Sequence, residues 1–151
     1  MNVFPLPPLH LDPRMWPEMT LYATTVLLEA ESEPERGQLA VAWVIRNRMD
    51  RSGDDGIAEV ILKPWQFSCF NDDYALARKA RLTGIDAIRW ERAWRCACSA
   101  YWKLVDDPTQ GATFYLNPEL TRQIRPGGTL PSWYDARRVT LREGKHEFLT
   151  A

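Results

Sequence analysis

Pro34 separates two helical runs and forbids their fusion. A proline in a helix interior removes a backbone donor and clashes with the preceding turn. The apolar stripe Leu21, Tyr22, Ala23, Val26, Leu27 and Leu28 must therefore stop before it. A second stripe, Leu39, Ala40, Ala42, Trp43, Val44 and Ile45, starts after it. The chain is committed to a helix–break–helix corner, with helices predicted over residues 19–28 and 33–48. Ser32 and Glu35 read as a Ser-x-x-Glu capping box, with Pro34 in the first turn of the second helix. Four glutamates, at 29, 31, 33 and 35, fall inside this corner.

The corner sorts its carboxylates. Glu29 closes an apolar run, where low dielectric disfavours the charged form and raises the pKa. It also stands at the negative end of the helix dipole, which pushes the same way. Glu33 and Glu35 fall in the predicted first turn of the next helix, where partial positive charge favours the carboxylate. Two carboxylates driven toward different protonation states can divide acid and base roles. A raised carboxyl pKa suits a general acid for glycosidic cleavage near neutral pH. Solvated caps at a helix junction would give the same charge cluster without any chemistry. Glu29 is the candidate proton donor.

Several separated motifs accompany the corner. Leu28-Glu29-Ala30-Glu31-Ser32-Glu33-Pro34 is followed by Gly37-Gln38-Leu39-Ala40-Val41-Ala42 and by Val44-Ile45-Arg46-Asn47-Arg48. Further on stand Gln66-Phe67-Ser68-Cys69, Ala112-Thr113-Phe114-Tyr115-Leu116-Asn117-Pro118, Trp133 and Gly144-Lys145-His146-Glu147-Phe148. In this order they resemble the spore-cortex-lytic cell-wall hydrolases of the SleB/CwlJ type, over residues 22–149. One departure is visible: Glu31-Ser32 stands where the family usually has Arg-Gly. The resemblance implies an α+β fold, a mostly helical lysozyme-like domain with a small antiparallel β lobe and a groove between them. It also implies cleavage of peptidoglycan glycan strands, with the family's catalytic glutamate falling on Glu29.

Composition fits a globular domain. The 151 residues are 45% hydrophobic and include seven tryptophans, enough for one core. Net charge is −1, but residues 1–73 carry 12 acidic and 6 basic side chains, against 8 and 13 in residues 74–151. An acidic half bearing Glu29 and a basic half facing an anionic wall polymer suit the implied substrate, peptidoglycan. Such asymmetry also suits a nucleic-acid-binding or virion structural protein, yet the basic residues are dispersed and form no nucleic-acid motif, so no nucleic-acid partner is expected. Cys69, Cys96 and Cys98 lack metal spacing, and no metal or cofactor is expected. Cys69, ahead of a helix predicted over 73–82, offers with His146 an alternative Cys/His amidase reading.

Residues 1–17 contain five prolines and no basic leader with a long apolar core, so they are expected to form an extended arm on a single domain spanning 18–151. The expectation is a monomer made in the cytoplasm without a signal peptide, not inserted in a membrane, reaching the wall after release, as a phage endolysin does, or in a virion. Asp86 is a cap for a helix reaching about residue 105, with Ala93, Trp94, Ala97, Tyr101 and Leu104 inward. Residues 113–116 and 139–142 read as strands, 147–150 as a hairpin return, and 122–131 as a loop. Substrate-binding or supporting candidates are Glu33, Gln66, Phe67, Ser68, Tyr115, Asn117, Trp133 and His146, beside packing or backbone-satisfying roles for each. His146 either orients Glu29 or pairs with Glu147. A second catalytic carboxylate is not evident, although Glu33, Asp72, Asp73 and Asp135 remain open, so single-acid chemistry giving a 1,6-anhydro sugar is expected over hydrolysis.

Overall fold

The computed structural model describes residues 4–64 and 66–151. Its element order is α1 (Glu18–Ala30), α2 (Glu35–Ser52), α3 (Ile57–Leu62), α4 (Ala75–Leu82), α5 (Ala87–Tyr101), β1 (Phe114–Leu116), α6 (Pro118–Ile124), β2 (Val139–Glu143) and β3 (His146–Leu149). Short 3-10 turns fill several connections. This is the expected α+β architecture, a helical body with a small antiparallel sheet.

Helix α1 is the axis of the body. Residues 20–28 and Ala30 are buried on every side, which follows from a run with almost no polar face. Helices α2, α3 and α5 pack around it. Glu18 in its first turn reaches across to accept from the Ile57 and Ala58 amides at 2.5 and 3.3 Å, capping α3. Asp86 caps α5 as expected, accepting from Ile88 N and Arg89 N. Helix α5 stops at Tyr101, short of the predicted end, because Lys103 turns left-handed (φ 52) and the Leu104 amide folds back onto the Ser99 carbonyl. Leu104 is therefore exposed rather than inward, and Trp90 is the buried anchor of that helix.

The corner forms, but not with the predicted cap. Pro34 is itself the N-cap of α2, extended at ψ 157, and no side chain caps the helix. Ser32 is thus displaced from the α2 amides, and Glu33 lies outside the helix rather than in its first turn. The Gly37-Gln38 pair explains itself here: Gln38 Nε2 donates to the Ala30 carbonyl at 3.1 Å, closing the end of α1. A Cβ on Gly37 would lie 3.2 Å from the Glu33 Cβ.

The sheet runs β1-β3-β2, antiparallel throughout, with Tyr115 opposite Phe148 and Glu143 opposite His146. A bulge at Thr140 sends its hydroxyl to the Thr109 carbonyl. Gly144 (φ 57) makes the two-residue turn between β2 and β3. Asn47 and Arg48 fasten α2 to the approach of β1, through Asn47 Nδ2 to the Ala112 carbonyl at 3.0 Å and Arg48 Nε to the Thr113 carbonyl at 2.7 Å. Helix α6 was not foreseen. Its signal was Asn117-Pro118-Glu119, with Asn117 accepting from Leu120 N and Pro118 in the first turn. Of the arm, residues 1–3 lie outside the described residues. Phe4, Leu9 and Leu11 pack on the core, Trp16 is buried, and Trp90 Nε1 donates to the Phe4 carbonyl.

Candidate active site

Glu29 occupies the last turn of α1, where the buried helix meets open space. Tyr115, the middle residue of β1, donates its hydroxyl to Glu29 Oε2 at 2.8 Å. Burial raises the Glu29 pKa above the ordinary carboxyl range, while the Tyr115 hydrogen bond and the Arg48 and Arg81 charges pull it partly back. The raised direction is the one expected from its position. Tyr115 is itself pushed well above the usual phenol range by burial and by the Glu29 charge, so it stays a donor. Glu31, the departure from the family pattern, is engaged elsewhere, by Arg81 at 3.2 Å and Arg89 at 3.0 Å.

Two adjoining recesses open on Glu29. One of about 380 Å³ includes Glu33, Glu119, Lys145 and His146. The other, about 340 Å³, includes Arg48, Gln66, Phe67 and Tyr115. Glu29, Asn117, Leu120 and His146 line both. Among the described carboxylates, only Glu29 belongs to both recesses, which puts it at their junction.

Seven of the nine residues singled out in the sequence thus gather here, and two do not. Ser68 is exposed in a 3-10 turn and lines neither recess. Trp133 stacks on Phe114 with centroids 5.0 Å apart and faces a different recess. Glu33 accepts from Lys145 N at 3.2 Å, with Oε1 3.6 Å from His146 Nδ1. His146 therefore faces Glu33, not Glu29, and Glu147 is taken by Arg142 and Tyr134. Burial lowers the His146 pKa, with Glu33 opposing. Asn117 is occupied as the α6 cap as well as lining the groove.

Cys69 does not carry an activated thiol. Its turn precedes α4 without exposing the sulfur, and burial aided by the Glu29 charge pushes its pKa up to about 12. A thiolate nucleophile needs the opposite shift. Asp72 and Asp73 line a recess beside the arm, and Asp135 lines the Trp133 recess, so none reaches Glu29. Residues not foreseen are Arg48, which bridges Gln66 (3.4 Å) and the Thr113 carbonyl ahead of β1 and lies over the Phe67 ring, and the α6 residues Glu119, Leu120 and Gln123. Arg48 stood in a quoted motif, but nothing local to it pointed at Glu29.

A buried carboxylic acid opens onto two adjoining recesses where a helical body meets a small antiparallel sheet. Residues 32–149 match the cell wall hydrolase family, and the chain belongs to that family. Over 135 residues, 87% of this chain, it is 30% identical to the spore cortex-lytic enzymes of Halalkalibacterium halodurans and Oceanobacillus iheyensis, and 31% identical to that of Bacillus subtilis. The matched region spans only 34%, 41% and 37% of those proteins. Among solved structures, the catalytic domain of the germination-specific lytic transglycosylase SleB from Bacillus anthracis matches with a TM-score of 0.65 and 26% identity, covering 88% of this chain and 93% of that one. The catalytic domain of Bacillus cereus SleB matches with a TM-score of 0.63 and 26% identity, covering 88% and 89%.

Proposed function

We propose that this chain cleaves the glycan strands of peptidoglycan by lytic transglycosylation, with Glu29 as the single acid and base. The observation that carries the reading is Glu29's position at the junction of two recesses, so that one sugar lies on either side of it. Glu29 gives its proton to the glycosidic oxygen as the C1–O bond breaks. The resulting carboxylate then takes the proton from the 6-hydroxyl of the same muramic acid as that oxygen bonds C1. Atoms balance without water, and the product is a 1,6-anhydro sugar.

The surroundings support each stage. Burial favours the protonated acid before cleavage, and the Tyr115 hydroxyl and Arg48 stabilise the carboxylate after it. Glu33, the nearest motif carboxylate, is turned to the Lys145 amide and His146. The second reading is hydrolysis, favoured by Glu119, an exposed carboxylate on the far wall of one recess. Mass analysis of digests of purified peptidoglycan separates the two. Transglycosylation gives products one water, about 18 Da, lighter than the reducing sugars left by a two-carboxylate hydrolase. Glu33→Gln and Glu119→Gln should then retain measurable turnover, while Glu29→Gln should not.

A further inference from the structure

We infer that the groove continues beyond Glu29 along the edge strand β1 to a second sugar platform, the Phe114–Trp133 stack, which binds the same glycan strand away from the point of cleavage. The inference rests on the reading of the chain as a glycan-strand enzyme. Four recesses adjoin in series. The Glu29–Tyr115 recess shares Arg48 and Gln66 with a recess of about 430 Å³. That one shares Phe114 with a recess of about 650 Å³ walled by Trp133. Strand β1 lies at the end of the sheet order, and its successive residues Tyr115 and Phe114 face opposite sides of the sheet, so this path turns round that edge from the Glu29 side to the Trp133 side.

The far end has the surface a sugar needs. Trp133 is 42% exposed, yet its ring is fixed by stacking on Phe114 at an interplanar angle of 27°. A rigid, open aromatic face accepts the C–H face of a pyranose with little ordering cost. The path between is cationic. Arg51 makes no ion pair or side-chain hydrogen bond among the described residues, and it stands with Arg48 and with Lys63, which pairs with Asp54, the one acidic side chain of this lining. The recess on the other side of Glu29 has the opposite balance, with Glu33 and Glu119 against Lys145. Muramic acid carries a lactyl group whose peptide stem ends in carboxylates, so the stem-bearing stretch of strand is matched to the Arg51 side.

Binding to purified sacculi in a Glu29→Gln background tests this without cleavage. Adding Trp133→Ala should weaken binding about tenfold, and Trp133→Tyr, which keeps a ring, should recover most of it. In the cleaving enzyme, the loss from Trp133→Ala should shrink as the strand is shortened. Arg51 is exposed in the last turn of α2, so Arg51→Glu should cost only a little stability through the helix dipole, which a denaturant melt checks. It should weaken binding to stem-bearing strands more than to strands stripped of their stems. Equal binding by Glu29→Gln with and without Trp133→Ala, or an Arg51→Glu effect that ignores the stems, would overturn the extended groove. Absence of any binding by Glu29→Gln would instead count against the glycan reading itself.

Discussion

Glu29 is held by neighbours that pull in opposite directions. Burial at the end of α1 favours the acid, and the Tyr115 hydroxyl favours the carboxylate. Tyr115→Phe removes only the second influence, so the Glu29 pKa should rise further. A general acid loses activity as pH climbs through its pKa, so the alkaline limb of the rate profile should move to higher pH. The lost hydrogen bond should also cost about 1 kcal/mol in stability, read by denaturant unfolding. An unmoved limb would remove Tyr115 from the machinery. Glu29 was legible in the sequence because it terminates an apolar stripe, a purely local signal. Its partner Tyr115 lies 86 positions away, and Arg48 meets β1 only after α2 has folded back. Trp133 was placed with the acid because it accompanies the motifs, whereas the sheet carries it to another recess.

Caps and turns decide how the elements present these residues. Asp86 was readable as a cap and behaves as one, so Asp86→Ala should destabilise the domain by about 1 kcal/mol in a urea melt. The Ser32–Glu35 box was also readable but fails, since Pro34 takes the cap position and its fixed extended geometry leaves Ser32 outside. That failure releases Glu33 to the β2–β3 turn, where a Cβ on Gly144 would run into its carboxylate. Gly144→Ala combines this collision with a left-handed backbone. It should cost roughly 1–3 kcal/mol, and Glu33→Gln should not relieve the backbone part. A melt unchanged by Gly144→Ala would contradict the packing of Glu33 over this turn. Helix α6 is hard to read from the sequence despite its Asn-Pro start, because three residues of strand precede it and the glycines after it dominate the local pattern.

Taken whole, the domain sets an acid at the end of a buried helix against an open, solvent-exposed wall. The body is centred on a helix buried all round, and its far end is closed by Gln38, by the Glu33 amide and by Arg81 on the Leu28 carbonyl. The opposing wall is the short sheet and the exposed helix α6, whose solvent-exposed Leu120 and Ile124 line the recesses beside Glu29. The uneven charge of the two halves of the sequence does not divide the molecule. Arg81 and Arg89 pair with Glu31, Lys103 pairs with Asp50, and Arg36 pairs with Glu143. What remains uneven is the groove itself, acidic on one side of Glu29 and basic on the other. The most direct test is mass spectrometry of peptidoglycan digested by the wild-type chain and by Glu29→Gln. The account predicts 1,6-anhydro products, about 18 Da lighter than reducing ends, from the wild type and none from the folded variant. Reducing-end sugars from the wild type, or undiminished digestion by Glu29→Gln, would contradict it.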